Sequence, residues 1–540
     1  MYLNSAGGLQ PEQHTHHLET KDYNIWWEGI VFIKGIPSNE DSLKKFVRNL
    51  TSIGIEKATK DLSGNYACVV QDKANDKYYA FVDNDGLTSL FCKDDFVSSS
   101  FLRLLENAPP KLDDLDPMTV VEFVHCGSLI GRKPFFDGID VVGKGEIVEF
   151  ARGKTRIISK GLEKVRPDST PQKTFLENFS NIVASLRNRK ISMDMTGGVD
   201  TRLISLLLKE EGIDFEAATL GVSGHPDVDI STDLAKILGI KHEVVGHTVG
   251  DEDRVLRELD EIFQAVDGRS DVFRTHYGYQ HHWRRKQRNI DLVMLGNGGE
   301  LYKYTVWWNA KKKEGRREMI ERFVHSGLVN WYQNPGIPHD LFAGRVKSAS
   351  VEYLPWLVNK LDNMFPNYKG IELADRVFSD YSIVGSFGVH CTGRFIQMYS
   401  PLLDRVMVGC GYGIPAQEKF SSNFHRRIIS SLNKEVTTLR TTDGRFRNWY
   451  PDGDSLVWEA VEWARRKVRI EINKFRKTEP PPMGFDQKLY EVAKASKRGR
   501  ENIVFLEQCG VVHSGLKIQE MDNAHFGRLF GLAEVLKKAT

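Results

Sequence analysis

One stretch decides the fold of this chain: Lys190-Ile-Ser-Met-Asp-Met-Thr-Gly-Gly-Val-Asp-Thr-Arg202, followed directly by Leu203-Ile-Ser-Leu-Leu-Leu208. An apolar run typical of a strand ends in a glycine turn, and a helix-forming run begins at once. The turn therefore lies at a helix N-terminus, where free backbone N–H groups and the helix dipole attract anions. The sequence predicts a phosphate-binding loop at residues 196–201.

Each polar or glycine residue of this loop has a predicted role. Gly197 and Gly198 let a phosphate approach the backbone, and Thr196 and Thr201 add hydroxyl donors. Asp200 would repel phosphate unless a cation lies between them, so we expect it to bind Mg²⁺. The segment lacks the Gly-Lys-Ser/Thr of the Walker loop and the G-x-G-x-x-G of dinucleotide folds. We interpret it as a nucleotide pyrophosphate site, with a plain strand-to-helix turn as the alternative.

Strands and helices alternate on both sides of the loop. Strands are predicted at 190–195, 215–221, 242–245 and 291–295, and helices near 201–211, 229–238 and 253–265. Repeated units of this length predict an α/β, doubly wound parallel sheet. The ligand of such a sheet binds at the carboxyl ends of its strands.

Two other strand ends carry candidate residues. One strand ends in Leu220 and Gly221, and another is followed by Gly296-Asn-Gly-Gly-Glu300. We expect Glu300 to hold Mg²⁺ together with Asp200, or to act as a general base. The alternative for Glu300 is a helix-capping surface residue.

The first 160 residues follow a different pattern. A strand at 25–33, hairpins at 65–82 and 145–158, and a helix at 117–124 predict antiparallel sheet with a few helices. The polar segment 161–171, with two prolines, is interpreted as a linker. We therefore expect two domains, at 1–165 and 172–540. The terminal segment 526–538 is predicted to be an amphipathic helix packed on the second domain.

Composition excludes several classes of protein. The 540 residues carry a formal net charge of +2, which gives no general attraction to nucleic acid or anionic membrane. The six cysteines include no C-x-x-C pair, so a disulfide framework and a zinc ribbon are not expected. No apolar run approaches the roughly 20 residues of a membrane span. We expect a cytoplasmic protein, and we interpret the basic segments 283–288, 311–317 and 463–469 as solvated helix faces.

Several motifs resemble those of the asparagine synthetase family. The glycine loop is similar to the S-G-G-x-D-S loop of ATP pyrophosphatases, with Thr in place of both serines. Similar segments are Asp83-Asn-Asp-Gly-Leu-Thr-Ser-Leu-Phe91, residues 296–302 and Ser400-Pro-Leu-Leu-Asp404, so the resemblance covers nearly the whole chain. It implies an Ntn-hydrolase-like α+β antiparallel sandwich, then an α/β ATP-pyrophosphatase domain with a helical C-terminal part.

The resemblance also implies cofactors and further site residues. ATP and Mg²⁺ are the expected cofactors, and family members hold adenine against the backbone at the position of Leu220 and Gly221. A cation in the region after residue 432 neutralises the departing pyrophosphate in the family. Arg440 and Arg445 are the candidates for that role here.

Two departures from the family bear on function. Active glutaminase members expose a cysteine at position 2, whereas this chain has Tyr2, and its first cysteine, Cys68, falls inside a strand pattern. Gln397-Met-Tyr399-Ser-Pro401 lacks the Glu and Arg of the family's E-x-R-x-P-F-L-D pattern. In these respects the chain resembles the β-lactam synthetases and lasso-peptide cyclases more closely.

The resemblance implies an ATP-dependent ligase that adenylates a small-molecule or peptide carboxylate, with release of AMP and pyrophosphate. An amine or ammonia then forms the amide bond without glutamine hydrolysis. Two alternatives stay open: a retired synthetase homologue that acts as a binding or scaffold protein, and a tRNA-modifying pyrophosphatase. The sequence names neither substrate, and it leaves the oligomeric state open, with a homodimer as one option.

Overall fold

The computed structural model describes residues 1–4, 9–12, 14–151, 154–303, 315–327, 336–382, 394–419, 422–441, 468 and 486–540. The strands of these residues are β1 (Tyr2–Asn4), β2 (Leu9–Gln10), β3 (His16–Glu19), β4 (Tyr23–Gly29), β5 (Tyr66–Asp72), β6 (Lys77–Val82), β7 (Phe91–Lys93), β8 (Phe96–Ser98), β9 (Asp140–Val141), β10 (Glu146–Ala151), β11 (Lys154–Ser159), β12 (Ile191–Asp194), β13 (Phe215–Leu220), β14 (His242–Val245), β15 (Leu292–Met294) and β16 (Met398–Tyr399).

The α-helices of the same residues are α1 (Asn39–Ile53), α2 (Ile55–Ala58), α3 (Phe101–Asn107), α4 (Pro117–Cys126), α5 (Pro171–Leu186), α6 (Val199–Glu210), α7 (Pro226–Leu238), α8 (Glu252–Ala265), α9 (Val272–Gln287), α10 (Arg316–Arg322), α11 (Gly344–Met364), α12 (Gly370–Arg376), α13 (Arg405–Gly413), α14 (Ala416–Lys419), α15 (Asn423–Leu432), α16 (Gln487–Ala495), α17 (Lys497–Gln508) and α18 (Asn523–Ala539).

Two antiparallel sheets make up the first half. Their strand orders are β2-β1-β8-β7-β9 and β11-β10-β6-β5-β4-β3. Leu3 and Val97 of one sheet share a hydrophobic cluster with Val69 and Val148 of the other, so the two sheets are packed together. Residues of α1 join a second cluster with the six-stranded sheet. The predicted antiparallel character of this half is confirmed, because alternating apolar residues give each sheet two faces to bury.

The hairpins and the helix predicted in this half are confirmed as β5–β6, β10–β11 and α4. The strand predicted at 25–33 is shorter than expected, because β4 ends at Gly29. Gly29 has a φ of 90°, and a Cβ there would lie 2.1 Å from the Asn65 carbonyl oxygen. This close approach of two backbones ends the regular strand.

The second half contains a five-stranded sheet in which every pair is parallel, in the order β14-β13-β12-β15-β16. The predicted α/β parallel sheet is confirmed, and β16 adds a fifth strand that the sequence pattern did not indicate. The chain runs outward from β12 to β14 on one side and continues on the other side with β15. The strand order therefore reverses between β12 and β15, and parallel α/β sheets bind their ligands at the carboxyl ends of the strands beside such a reversal.

The two halves share one core. The largest hydrophobic cluster includes Phe123 of the first half, Leu203 of α6 and Phe530 of α18. Helix α18 packs on α9, α16 and α17 of the second half, as predicted, and also contacts α3 and α4 of the first half. It is buried on nearly all sides, so the prediction that it is amphipathic is wrong. Arg528 of this helix, 0% exposed, donates to the carbonyl oxygens of Val124 at 2.9 Å and His125 at 2.7 Å. The boundaries 1–165 and 172–540 stay a prediction.

Candidate functional site

The glycine loop joins the central strand β12 to α6, and Gly198 is the N-cap residue of that helix. The hydroxyl oxygens of Thr196 and Thr201 lie 3.1 Å apart, and Thr201 Oγ1 also accepts from Thr196 N at 3.3 Å. The Gly198 N–H donates to Thr196 Oγ1 at 3.2 Å. The two hydroxyls, predicted as phosphate donors, thus form contacts within the loop. The N-terminus of α6 lies at the carboxyl end of β12.

The loop after β15 contacts the glycine loop directly. A Cβ at Gly299 would lie 2.1 Å from Asp200 Cγ, and one at Gly296 would lie 2.8 Å from Thr201 Cγ2. Ser400, which follows β16, donates to the Asn297 carbonyl oxygen at 2.5 Å and steadies this loop. The structure therefore brings together the two segments that the sequence marked at separate strand ends.

Asp200 lies between two groups that the sequence analysis did not connect to it. Lys303 Nζ forms an ion pair with Asp200 Oδ2, and His425 Nδ1 lies 3.1 Å from Oδ1. Burial raises the pKa of Asp200, but Lys303 and His425 outweigh it and hold the pKa of this carboxyl well below its usual range. Asp200 is therefore a carboxylate with a cation already beside it.

Glu300 is the second carboxyl group of the site. It lies in a single 3₁₀ turn (Gly299–Tyr302), and its Oε2 accepts from the Gly298 N–H at 3.2 Å. Burial raises the pKa of Glu300, Lys303 opposes this, and the charge of Asp200 adds to it. The structure thus places Glu300 close enough to Asp200 for the two carboxyls to repel each other electrostatically.

The donor set can be tested against the predicted Mg²⁺. The described residues contain no group of three or more His, Cys, Asp or Glu side chains that could hold a metal ion. Two neighbouring carboxyls, Asp200 and Glu300, nevertheless fit a small hard cation that takes its other ligands from phosphate oxygens and water. Both residues stay predicted ligands.

The predicted adenine site lies at the end of β13. The Gly221 N–H donates to the Val245 carbonyl oxygen at 2.9 Å, so it is used within the sheet. Gly221 has a φ of 153°, and a Cβ there would lie 2.8 Å from Val228 Cγ2. The close packing requires glycine at this position, and the role of Leu220 and Gly221 toward adenine stays a prediction.

Arg440 approaches the glycine loop through its backbone. Its side chain is exposed, whereas its carbonyl oxygen accepts from Arg202 Nη2 at 2.7 Å. Arg202, 3% exposed, also donates to the Leu439 carbonyl oxygen at 3.0 Å and so fastens this segment to α6. Arg445, the other predicted pyrophosphate cation, lies outside the described residues.

Four residues at the site were not predicted: Arg202, Asp227, Lys303 and His425. Asp227 Oδ1 accepts from the Gly197 N–H at 2.8 Å, which shows that this loop attracts an anionic group. Two signals were available in the sequence, because Arg202 directly precedes the apolar helix run 203–208 and Asp227 follows Pro226 shortly after β13. Nothing in the sequence linked Lys303 or His425 to Asp200.

The basic segment 283–288 was interpreted as a solvated helix face. Arg284 Nη1 lies 3.2 Å from Glu243 Oε1, and Arg288 Nη2 lies 2.7 Å from Glu216 Oε1. Arg285 is fully buried instead, and its Nη1 lies 2.5 Å from Asp194 Oδ1. The acidic partners leave this segment little unbalanced positive charge. In the segment 311–317, residues 311–314 lie outside the described residues, whereas Arg316 Nη2 lies 2.7 Å from Asp362 Oδ1 and Arg317 Nε lies 3.2 Å from Glu321 Oε1. Of the segment 463–469, only residue 468 is described.

Two residues of the first half bear on the predicted loss of glutaminase chemistry, Tyr2 and Cys68. Tyr2 is buried in β1, and Cys68 is buried in β5, as the strand pattern predicted. Burial raises the pKa of the Cys68 thiol well above its usual range, which disfavours the nucleophilic thiolate. Among the described residues, no helix combines the length and apolar character needed to cross a membrane.

No protein-family model matches the chain, and no curated protein matches it. Among solved structures, NMN synthetase from Francisella tularensis is 15% identical, with 41% of this chain and 94% of that chain covered and a TM-score of 0.20.

Two further solved structures are similar to parts of the chain. NH3-dependent NAD synthetase from Campylobacter jejuni is 12% identical, with 39% and 95% of the two chains covered and a TM-score of 0.20. A predicted subunit of tRNA methyltransferase from Methanocaldococcus jannaschii is 17% identical, with 32% and 76% covered and a TM-score of 0.14. Because TM-scores this low do not establish a shared fold, the family of the chain stays a proposal.

Proposed function

We propose that the protein is an asparagine-synthetase-like ATP-dependent ligase. It adenylates a small-molecule or peptide carboxylate, releases pyrophosphate, and transfers the acyl group to an amine or ammonia to form an amide. The first half, with an Ntn-hydrolase-like arrangement of its two sheets, takes no part in glutamine hydrolysis. Neither substrate is identified by the residues described.

One observation carries this proposal. The glycine loop at 196–201 lies at the N-terminus of α6, directly after the central strand, and touches the loop that carries Glu300. This contact falls where the strand order reverses, which is where parallel α/β sheets bind their ligands. Backbone N–H groups, a helix dipole and two carboxyls at one place suit a triphosphate with its divalent cation.

Each site residue has a separate role in the proposed reaction. The substrate carboxylate attacks the α-phosphorus of ATP, and pyrophosphate leaves toward the N-terminus of α6. Arg202 holds the segment 436–440 beside this loop, which brings Arg440 close to the departing charge. Bound Mg²⁺ would neutralise phosphate charge, with Asp200 and Glu300 as its protein ligands.

The second step needs a base for the attacking amine. Glu300 is suited to this role, because burial raises the pKa of its carboxyl above the usual range and so makes it a stronger base. An uncharged amine nucleophile then attacks the acyl-adenylate, and AMP leaves. Glu300 is thus proposed both as a ligand and as the base, and the variant kinetics below separate these roles.

Pyrophosphate release tests the proposal. The protein is incubated with ATP, Mg²⁺ and pools of carboxylates and amines, and products are identified by mass spectrometry. We expect one pool to support release, and Asp200→Ala to abolish it. In the same pool, Glu300→Gln should slow amide formation more than adenylation, which carboxylate-dependent exchange of pyrophosphate into ATP measures separately. Undiminished release by Asp200→Ala would contradict the proposal.

Glutamine provides a separate test of the first half. With Tyr2 in place of the cysteine nucleophile and Cys68 buried, we expect no glutamate to form from glutamine. Glutamate is measured after incubation with glutamine. A parallel reaction contains ammonia in place of glutamine as the nitrogen donor. Appreciable hydrolysis would show that another residue of the first half acts as nucleophile.

A binding protein without ligase activity is the second candidate. The ion pair between Asp200 and Lys303 favours it, because a charge beside the phosphate loop is already neutralised within the chain. Calorimetric titration with ATP and Mg²⁺ separates the candidates. Binding of the nucleotide supports the ligase, and absence of binding supports the retired synthetase.

A further inference from the structure

Lys303 lies where the predicted metal ion would neutralise charge. Its ammonium group is paired with Asp200 Oδ2. The side chain is about one quarter exposed, whereas that of Asp200 is 13% exposed. A lysine thus serves as the counter-ion of Asp200 beside the glycine loop.

The surroundings hold Asp200 in position while Lys303 can move. Tyr302 is fully buried, and its hydroxyl donates to the Met407 carbonyl oxygen at 2.6 Å. Its ring stacks on that of His425, with the two centroids 5.0 Å apart. His425 is itself fully buried and faces Asp200 Oδ1. Asp200 therefore has a rigid neighbour on one oxygen and a long, flexible side chain on the other.

A divalent cation cannot use Asp200 Oδ2 while the ammonium group of Lys303 is bound there. An ammonium group is a compact point charge on a stem with four rotatable bonds, so it can exchange one anionic partner for another. Phosphate oxygens are such a partner, and they also supply ligands that Mg²⁺ needs in addition to two carboxylates. Arrival of the nucleotide would thus release Asp200 and complete the metal site together.

We propose that Lys303 is the resident counter-ion of Asp200, and that it yields this position to the divalent cation only when nucleotide phosphates bind. Metal binding is therefore ordered: the free chain excludes the ion, and the nucleotide-bound chain admits it. After the exchange, Lys303 pairs with the phosphates. This inference rests on the proposed function, because it assigns the order of binding at the same site.

Binding of Mn²⁺, a paramagnetic substitute for Mg²⁺, tests the inference without any measurement of activity. Electron paramagnetic resonance reports free Mn²⁺ during titration of the chain alone and with a nonhydrolysable ATP analogue. We expect the wild-type chain to bind Mn²⁺ weakly alone, and Lys303→Met to bind it about tenfold more tightly. With the nucleotide analogue present, the difference in Mn²⁺ affinity between the wild type and Lys303→Met should shrink, because Lys303 of the wild type has then moved away from Asp200.

Three variants act as controls. Lys303→Arg keeps the positive charge and should keep the wild-type order of binding. Lys133→Met removes a lysine that pairs with Asp116 and Asp137 far from the glycine loop in sequence, and it should leave Mn²⁺ binding unchanged. Asp200→Asn combined with Lys303→Met should lose the gained affinity, which shows that Asp200 is the ligand.

The outcomes separate this inference from the proposed function. Equal Mn²⁺ affinity of Lys303→Met and the wild type, with binding of the nucleotide analogue intact, overturns the inference alone. Failure of the wild-type chain to bind the nucleotide analogue overturns the proposed function. Circular dichroism and thermal unfolding confirm that each variant is folded before titration.

Discussion

Reactive side chains are accessible at the carboxyl edge of the parallel sheet, and they are buried within the packed antiparallel sheets. At the edge, Asp200 and Glu300 lie in loops that touch, beside a lysine that can exchange partners. In the antiparallel half, Cys68 lies in the middle of a strand with no exposed surface. A residue at a strand end is presented to ligands, whereas one inside a strand is committed to packing. The position within an element thus decides whether a reactive side chain is available.

Buried charged residues have a third role at the seam, the contact between the two halves formed by Asp267 with α3 and by Arg528 with α4. Asp267, 1% exposed, accepts from Ser100 Oγ at 2.7 Å and from the Phe101 N–H at 2.6 Å, and so caps α3 of the first half. Arg528 holds carbonyl oxygens of α4 in the same way. The buried charges of Asp267 and Arg528 hold the two halves together. At the sheet edge, Asp200 can exchange its partner Lys303 for another cation.

The largest expected effect concerns the seam. Arg528→Met should lower the free energy of unfolding by about 3–5 kcal/mol, because buried Asp271 and two carbonyl oxygens lose their partner. Denaturant unfolding measures this change, and both halves should unfold together since they share a core. Arg500→Met, an exposed arginine of α17, is the matched control. Independent unfolding of an intact second half would contradict the shared core.

A pH-dependent effect should come from α4. Burial, followed by the charge of Arg528, lowers the pKa of His125 from 6.5 to about 4. Because the unfolded chain takes up this proton near pH 6.5 and the folded chain only near pH 4, stability falls as the pH falls across this range. The loss attributable to His125 is at most about 3 kcal/mol.

Denaturant midpoints between these two pH values check this prediction. His125→Asn should flatten the pH dependence relative to the wild type, whatever its effect on stability at neutral pH. His513→Asn, at an exposed histidine, is the control and should retain the wild-type slope. A variant with an unchanged slope would show that His125 does not drive the loss.

The contact between the two loops should affect binding more than folding. Gly299→Ala places a Cβ against the Asp200 carboxyl and forces the loops apart, so we expect ATP affinity to fall about 100-fold. Calorimetry measures the affinity, and thermal unfolding confirms the fold. Gly145→Ala is the matched control in the antiparallel half, because a Cβ there meets no atom within 4 Å. Wild-type affinity of Gly299→Ala would place the nucleotide elsewhere.

The smallest effect concerns the carboxylate that already binds the glycine loop. Asp227→Asn keeps an acceptor for the Gly197 N–H and removes a negative charge, so ATP affinity should rise about threefold. Asp233→Asn, an exposed position on the same helix, should change the affinity less. Added salt should reduce the difference, since partly exposed charges are screened. Weaker binding by Asp227→Asn would show that the charge organises the loop.

Local pattern was sufficient for much of the fold. Alternation of apolar residues predicted the hairpins β5–β6 and β10–β11, and the glycine turn predicted the boundary between β12 and α6. Only the C-terminal part of α9 was indicated, as the solvated helix face at 283–288, because polar residues such as His281 and Arg285 interrupt the apolar spacing of this helix. Both are buried, since Asp194 of β12 lies 2.9 Å from His281 Nε2 and 2.5 Å from Arg285 Nη1. A pattern of polarity cannot show that a charged side chain will meet a partner.

The sequence by itself determined the class of each half and the position of the glycine loop, because these depend on neighbours along the chain. Only the tertiary structure decided what surrounds Asp200. Lys303 and His425 reach it from segments far apart in sequence, and α18 becomes a buried link between the halves. The reason is physical: backbone propensity acts over a few residues, whereas ion pairing and burial depend on which elements pack together.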